Sequence, residues 1–175
     1  MPLPTHLPHC LLVALLLFVR PVAADLIADV HTLMARGDLG GALAAADAAR
    51  AAHPGDAQAR FLHAVVLMEM RRDEEAMQAF TRLSQEYPEL PEPFNNIALL
   101  QVRAGRLELA RQALESALRN DPGHRAARAN LGEVYLMLAV QTWEEAAGKG
   151  ALDPRQVRKL DAARALVAGG ATVSR

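Results

Sequence analysis

Three prolines constrain this chain more than any other feature. Pro54, Pro88 and Pro122 stand 34 residues apart, and each closes an apolar helical stretch: AAHPGD, QEYPEL and RNDPGH. Ala42, Ala76 and Ala110 share the same spacing, twelve residues ahead of each proline. Gly37 and Gly105 also correspond, with Arg71 at the equivalent place in the middle copy. A fixed period of this length predicts stacked supersecondary units, none of which buries its apolar face alone. Composition makes those units helical. Only 4% of the residues are aromatic, and abundant alanine, leucine, arginine and glutamate favour helix over sheet.

Charge and motif content exclude several function classes. A formal net charge of −1 leaves no basic surface to neutralise the phosphates of a nucleic acid. The single cysteine, Cys10, can form neither an intramolecular disulfide nor a thiolate metal cage. His31, His53, His63 and His124 fall 22, 10 and 61 residues apart, which is not metal-ligand spacing, so no metal and no cofactor are expected. His53 and His124 belong to the turns between units and are expected in solvent; His63 is expected in the core with its ring hydrogen bond satisfied. The glycines of GDLGG (37–41) fall between two helices with no preceding strand, which makes them a turn and not a dinucleotide fingerprint. No nucleophile elbow, zinc-binding helix or phosphate loop is present, and the chain reads as a non-enzyme. Several of Arg71/Arg72, Arg103/Arg106/Arg111 and Arg119/Arg125/Arg128 fall near helix C-termini among acids, where they are expected to offset helix dipoles; a site for phosphate or an anionic wall polymer is the alternative.

These features resemble the tetratricopeptide repeat, a 34-residue unit of two antiparallel helices. Residues 57–90 carry its A-x3-F element as Ala76 and Phe80, with Pro88 as the terminal proline. Residues 91–124 carry Ala110, Leu114, Ala117 and Pro122, and residues 23–56 carry Ala42, Ala46, Ala49 and Pro54. Leu131-Gly132-x2-Tyr135 matches the first-helix element of a fourth unit. The resemblance implies an all-α, right-handed superhelical solenoid, with Ala64, Ala98 and Gly132 small where paired helices approach closely. Asp29 and His63 depart from the family's first-helix leucine. From Arg125 to about Ala147 nothing breaks the helix, so the degenerate fourth unit (125–168) is expected as one long helix, ended near Gly148 and Gly150, plus a capping helix. The capping helix starts at Asp153-Pro154, and a flexible tail follows from 169.

The family binds partners along a concave face lined by its first helices. Its groove positions carry over to Ile27, His31 and Met34; to Gln58, Phe61, Val65, Met68 and Glu69; to Asn95, Asn96, Leu99, Val102 and Arg103; and to Ala129, Asn130, Glu133 and Met137. Asn96 and Asn130 are equivalent, 34 residues apart, and each amide can both donate to and accept from an extended peptide; tying neighbouring helices together is the alternative for both. The family's carboxylate clamp is missing its cations: the matching places hold Phe61, Val65, Asn96, Ala126 and Asn130.

Residues 1–24 read as an address. Cys10 to Val19 is an uninterrupted apolar run, too short for a transmembrane helix of about 20 residues. Val22-Ala23-Ala24 supplies small residues for cleavage after Ala24. No Lys or Arg precedes the run and Arg20 follows it, so an uncleaved anchor is the competing reading. Cleavage would leave 18 basic against 20 acidic side chains, from the 19 and 20 of the whole chain, and no cysteine, which suits the periplasm. The expected role is a scaffold that holds a segment of another envelope protein. The competing roles are an oligomeric module whose groove is filled by the last helix or by a second copy, and an accessory subunit of an envelope enzyme.

Overall fold

The computed structural model describes the backbone of residues 22–169 and side chains from 26 onward. The leader as far as Pro21 and the tail beyond Gly169 lie outside the described residues. Eight helices and no strand occupy the described chain: α1 Val22–Ala35, α2 Leu39–Ala52, α3 Ala57–Glu69, α4 Asp73–Glu86, α5 Pro91–Arg103, α6 Leu107–Asn120, α7 Arg125–Lys149 and α8 Pro154–Gly169.

One turn closes the first three helix pairs. Gly37, Arg71 and Gly105 all adopt the left-handed conformation, with φ of 76°, 62° and 70°. The following amide then reaches back five residues: Asp38 N–H to the Leu33 carbonyl, Arg72 to Leu67 and Arg106 to Gln101, at 3.0, 3.0 and 2.9 Å. This is the Schellman ending, and it satisfies carbonyls that the helix would otherwise leave unpaired. Glycine takes the conformation without steric cost, whereas a side chain such as that of Arg71 costs about 1–2 kcal/mol. The 34-residue register of these three positions is therefore a register of backbone geometry.

The ends of the pairs are built differently. Pro54, Pro88 and Pro122 each stand two residues past the end of a second helix, just beyond its C-cap, where a missing N–H and a fixed φ prevent continuation. After Pro54 and Pro122 the next helix is restarted by a side-chain cap, whereas α5 starts on Pro91 with no side-chain cap bond. Asp56 accepts from Gln58 N–H at 2.8 Å, and His124 Nδ1 accepts from Ala127 N–H at 3.1 Å. His124 is thus a half-buried cap, not the solvated turn residue expected from its position. Asp153 and Gln156 cap α8 reciprocally: Asp153 accepts from Arg155 and Gln156 N–H, and Gln156 Oε1 accepts from Asp153 N–H.

The core runs through the stack in three overlapping steps. Val30, Ala42, Ala46, Leu62 and Val66 join α1, α2 and α3. Ala64, Leu67, Ala76, Phe80, Leu83 and Leu100 join α3, α4 and α5. Ala98, Ala110, Leu114, Ala117, Ala127 and Val134 join α5, α6 and α7. Phe80 is wholly buried, with its ring 5.6 Å from that of Phe61. Alanines at the crossings let the helices approach, and the larger side chains fill beside them. In the first unit Asp29 is exposed and Val30, next to it, enters the core instead.

The fourth unit differs from the repeat pattern. α7 runs unbroken for 25 residues, and α8 packs on its C-terminal half through Leu160, Ala163 and an Arg164–Glu144 ion pair of 2.8 Å. Ala127 and Val134 turn toward the core. Gly132 is exposed, with no atom within 4 Å of where a Cβ would stand. The close approach expected at Gly132 is absent because no second helix crosses α7 there. For the same reason Tyr135 is half exposed, its hydroxyl 3.4 Å from Glu115.

Candidate functional site

Within the stack α3 lies against α1 and α5 against α7, so the first helices of successive pairs share one face. Eleven of the residues carried onto that face fall into three groups. Met68 and Asn95 are buried, which corrects their placement on the binding surface. Met68 packs among Leu67, Phe80 and Leu83, and Asn95 Oδ1 accepts a 2.9 Å hydrogen bond from Asn130 Nδ2. A second group is half exposed but engaged within the chain. Asn130 ties α7 to α5 through that bond, so its amide nitrogen serves the helix-tying alternative. Phe61 is braced on Phe80. Arg103 Nη1 donates to the Met68 carbonyl at 3.2 Å and to Asp73 at 2.9 Å, locking the end of α5 to the α3–α4 turn.

The third group is partly exposed: Val65, Asn96, Leu99, Val102, Glu133 and Met137. Among them Asn96 spends its amide N–H on the Glu92 carbonyl of its own helix, at 2.9 Å, which leaves its oxygen able to accept. The free part of the face is therefore a strip of aliphatic side chains edged by polar ones: Asn96 and Glu133, with His31, Gln58 and Glu69 exposed toward the other end. α8 lies on α7 and not along α1, α3 or α5, so the chain's own last helix does not cover the strip.

A second polar constellation lies where α2, α3 and α4 meet. Arg50, Arg60, His63 and Arg82, with Pro54 and Ala79, line an open cavity of about 390 Å³. Arg60 is held by Glu86 through two hydrogen bonds, of 2.5 and 2.8 Å, and lies over the Tyr87 ring. That pairing raises the Arg60 pKa and lowers that of Glu86. His63 Nε2 stands 3.2 Å from Asp47, and Arg50 Nη1 stands 2.9 Å from Nδ1 and 3.0 Å from Nε2. With its proton on Nε2, the neutral ring donates to the carboxylate and leaves Nδ1 to accept from the guanidinium. Burial, and then the Arg50 charge, hold the imidazole below its ordinary range. The expected core histidine with a satisfied bond describes this ring, although its partners make it part of a cationic wall.

The sequence signal for this cavity is weak. His63 in place of a leucine is its one local mark, while Arg50 and Arg82 lie 13 and 19 residues away and meet it only through helix pairing. Most of the arginines near helix ends that sequence grouped together are engaged elsewhere: Arg72 pairs with Glu75, and Arg111 with Glu108 and Glu115. Among the described residues no group of three His, Cys, Asp or Glu could hold a metal. No described helix is long and apolar enough to cross a membrane.

Two family models match the chain, both described as tetratricopeptide repeat, over residues 33–94 and 95–156. The chain belongs to the tetratricopeptide repeat family. No curated protein matches it in sequence. Similar solved structures include the TPR domain of Sgt2 from Aspergillus fumigatus, 17% identical with a TM-score of 0.64 over 77% of this chain and 86% of that one. The first TPR of Spaghetti (RPAP3), bound to HSP90 peptide SRMEEVD, is 15% identical with a TM-score of 0.61, covering 67% and 93%. The Yersinia enterocolitica type III secretion chaperone SycD, in complex with a peptide of the translocator YopD, is 13% identical with a TM-score of 0.58, covering 65% and 92%. At such identities the likeness is one of fold: an all-helical tetratricopeptide solenoid.

Proposed function

We propose that this tetratricopeptide protein is a non-catalytic scaffold of the bacterial cell envelope, holding an extended or helical segment of a partner protein along its first helices. The observation that carries this reading is the uncovered strip of Val65, Leu99 and Val102 beside Asn96. Burying such aliphatic side chains supplies desolvation, and the free amide oxygen of Asn96 fixes orientation. Similar folds in RPAP3 and SycD are recorded holding peptides. The envelope assignment rests on the apolar run Cys10–Val19 followed by Val22-Ala23-Ala24. The α1 side chains that pack in the core, Ile27, Val30, Leu33 and Met34, all follow the expected cut after Ala24, so a mature chain from Asp25 keeps them. Leader removal is checked by the mass of the protein recovered from the envelope.

The binding role is tested by crosslinking in place and identifying the captured proteins for wild type and for Val65→Ala/Asn96→Ala/Leu99→Ala. None of these three is fully buried, and Phe61 is left intact because it braces Phe80. A partner lost from a variant that keeps its helical circular dichroism supports the scaffold. Equal capture by both forms removes the strip as the binding surface. Self-crosslinks alone place a second copy there and favour the oligomeric module.

A further inference from the structure

We propose that the cavity between α2, α3 and α4 binds a small multivalent oxyanion, a compound bearing carboxylate or phosphoryl groups, at a site separate from the partner-binding strip. Three guanidiniums, Arg50, Arg60 and Arg82, line one cavity of about 390 Å³, a volume in the range of small-ligand sites. Like charges gathered in this way repel unless anions lie between them, and the chain's own carboxylates answer only part of the charge. Glu86 is committed to Arg60 in a two-bond pair. Asp47 is 3.9 Å from Arg50 but 3.2 Å from His63, so the nearest partner of Arg50 is a neutral ring. Arg82 has no carboxylate within 4.0 Å among the described residues, although it lies near enough to Glu86 to lower that group's pKa.

The arrangement is therefore an open guanidinium on α4 (Arg82) and a weakly held one on α2 (Arg50), flanking a fixed third on α3. Planar guanidiniums bind carboxylate and phosphate oxygens through paired N–H donors, and an anion with two or more charged groups spans the gap. Its arrival also changes His63. An oxyanion that draws Arg50 Nη1 away frees Nδ1, and the anion's charge favours imidazolium, so anion and proton bind together. The charged groups facing the ring are Asp47 and Arg50 from α2 and Glu75 from α4, with Arg72 at the turn before α4 and Arg60 one turn earlier on α3.

Titration calorimetry of the folded protein with pyrophosphate and, separately, citrate at low ionic strength tests the proposal. The variants are Arg82→Gln, Ala79→Glu and, as a control of equal charge, Arg125→Gln. Wild type and Arg125→Gln should bind at least one of the two anions. Arg82→Gln should bind at least about tenfold more weakly, and Ala79→Glu, which sets a carboxylate in the lining, should not bind. Between about pH 7.5 and 6 wild type should take up more protons on binding than a His63→Gln variant does, since the anion's own protonation is common to both and the difference belongs to the imidazole. Pyrophosphate alone identifies a phosphoryl ligand, citrate alone a polycarboxylate, and both the shared oxyanion chemistry. Failure of wild type to bind either anion, or equal losses in Arg82→Gln and Arg125→Gln, overturns the site. Neither result bears on the strip along the first helices.

Discussion

Asn130 Nδ2 donates to Asn95 Oδ1 at 2.9 Å, joining α7 to α5 through two side-chain amides 35 residues apart. Because Asn95 is buried, removing its partner leaves a carbonyl oxygen unpaired in a nearly dry place. Asn130→Ala should lower unfolding free energy by about 1–2 kcal/mol, read as a reduced midpoint in urea. Asn96, bonded only to its own helix, behaves differently. Asn96→Ala should change stability by less than about 0.5 kcal/mol while weakening partner capture. Equal stability losses in the two variants would mean that the amides share one role.

Gly132 separates the sequence pattern of the repeat from its packing. In a complete unit that position is small because a second helix crosses it, whereas here the space beyond it is open. Gly132→Ala should therefore stabilise the chain by about 0.5–1 kcal/mol, by removing backbone entropy from the unfolded state without a clash. The same thermal melt should place Ala64→Leu well below wild type, since Ala64 is wholly buried at a helix crossing. A destabilised Gly132→Ala would mean that a further element packs on α7.

Arg71 carries the left-handed turn that Gly37 and Gly105 make in the neighbouring units. Arg71→Gly should gain about 0.5–1 kcal/mol, the strain relieved less the added entropy of glycine. Arg71→Val should lose stability, because a β-branched side chain fits that conformation worst. Denaturant midpoints of the two variants should fall on opposite sides of wild type.

Acid should weaken the junction of the first two units before it weakens the rest. The imidazole of His63 lies below its ordinary value of 6.5, chiefly through burial and then through Arg50. Below that pH the unfolded chain binds a proton that the folded ring resists. The contribution of the neutral ring is thus complete above about pH 6.5 and declines as pH falls toward the lowered folded value. Glu75 and Glu86, lowered by Arg72 and Arg60, lose their contributions only below about 4.5, their ordinary value. Unfolding free energy measured against pH should show the first decline in wild type and not in His63→Gln, with the second common to both.

The repeat was legible because its marks are local. A proline that stops a helix, an alanine at a crossing and a left-handed turn residue each impose one geometry on their own few residues, and the 34-residue spacing multiplies the signal. The groove was less legible. Transferred positions identify which residues stand on the first helices, but not which of them turn inward; Met68 and Asn95 do, and Arg103 is taken up by Asp73. The cavity of Arg50, His63 and Arg82 left almost no trace, since its members meet only after three helices have packed. Gly132 matched the family pattern in sequence and departs from it in packing, because the residues that would have made its neighbouring helix extend α7 instead.

The most direct test of the account places a photo-crosslinking amino acid at Leu99, on the first-helix strip, and in a second sample at Gln112, exposed on α6. Irradiation in cells should yield a discrete adduct with a partner protein from Leu99 and none from Gln112, with the Leu99 adduct lost when Asn96→Ala is added. The same adduct from both positions, or from Gln112 alone, would contradict a partner held along the first helices.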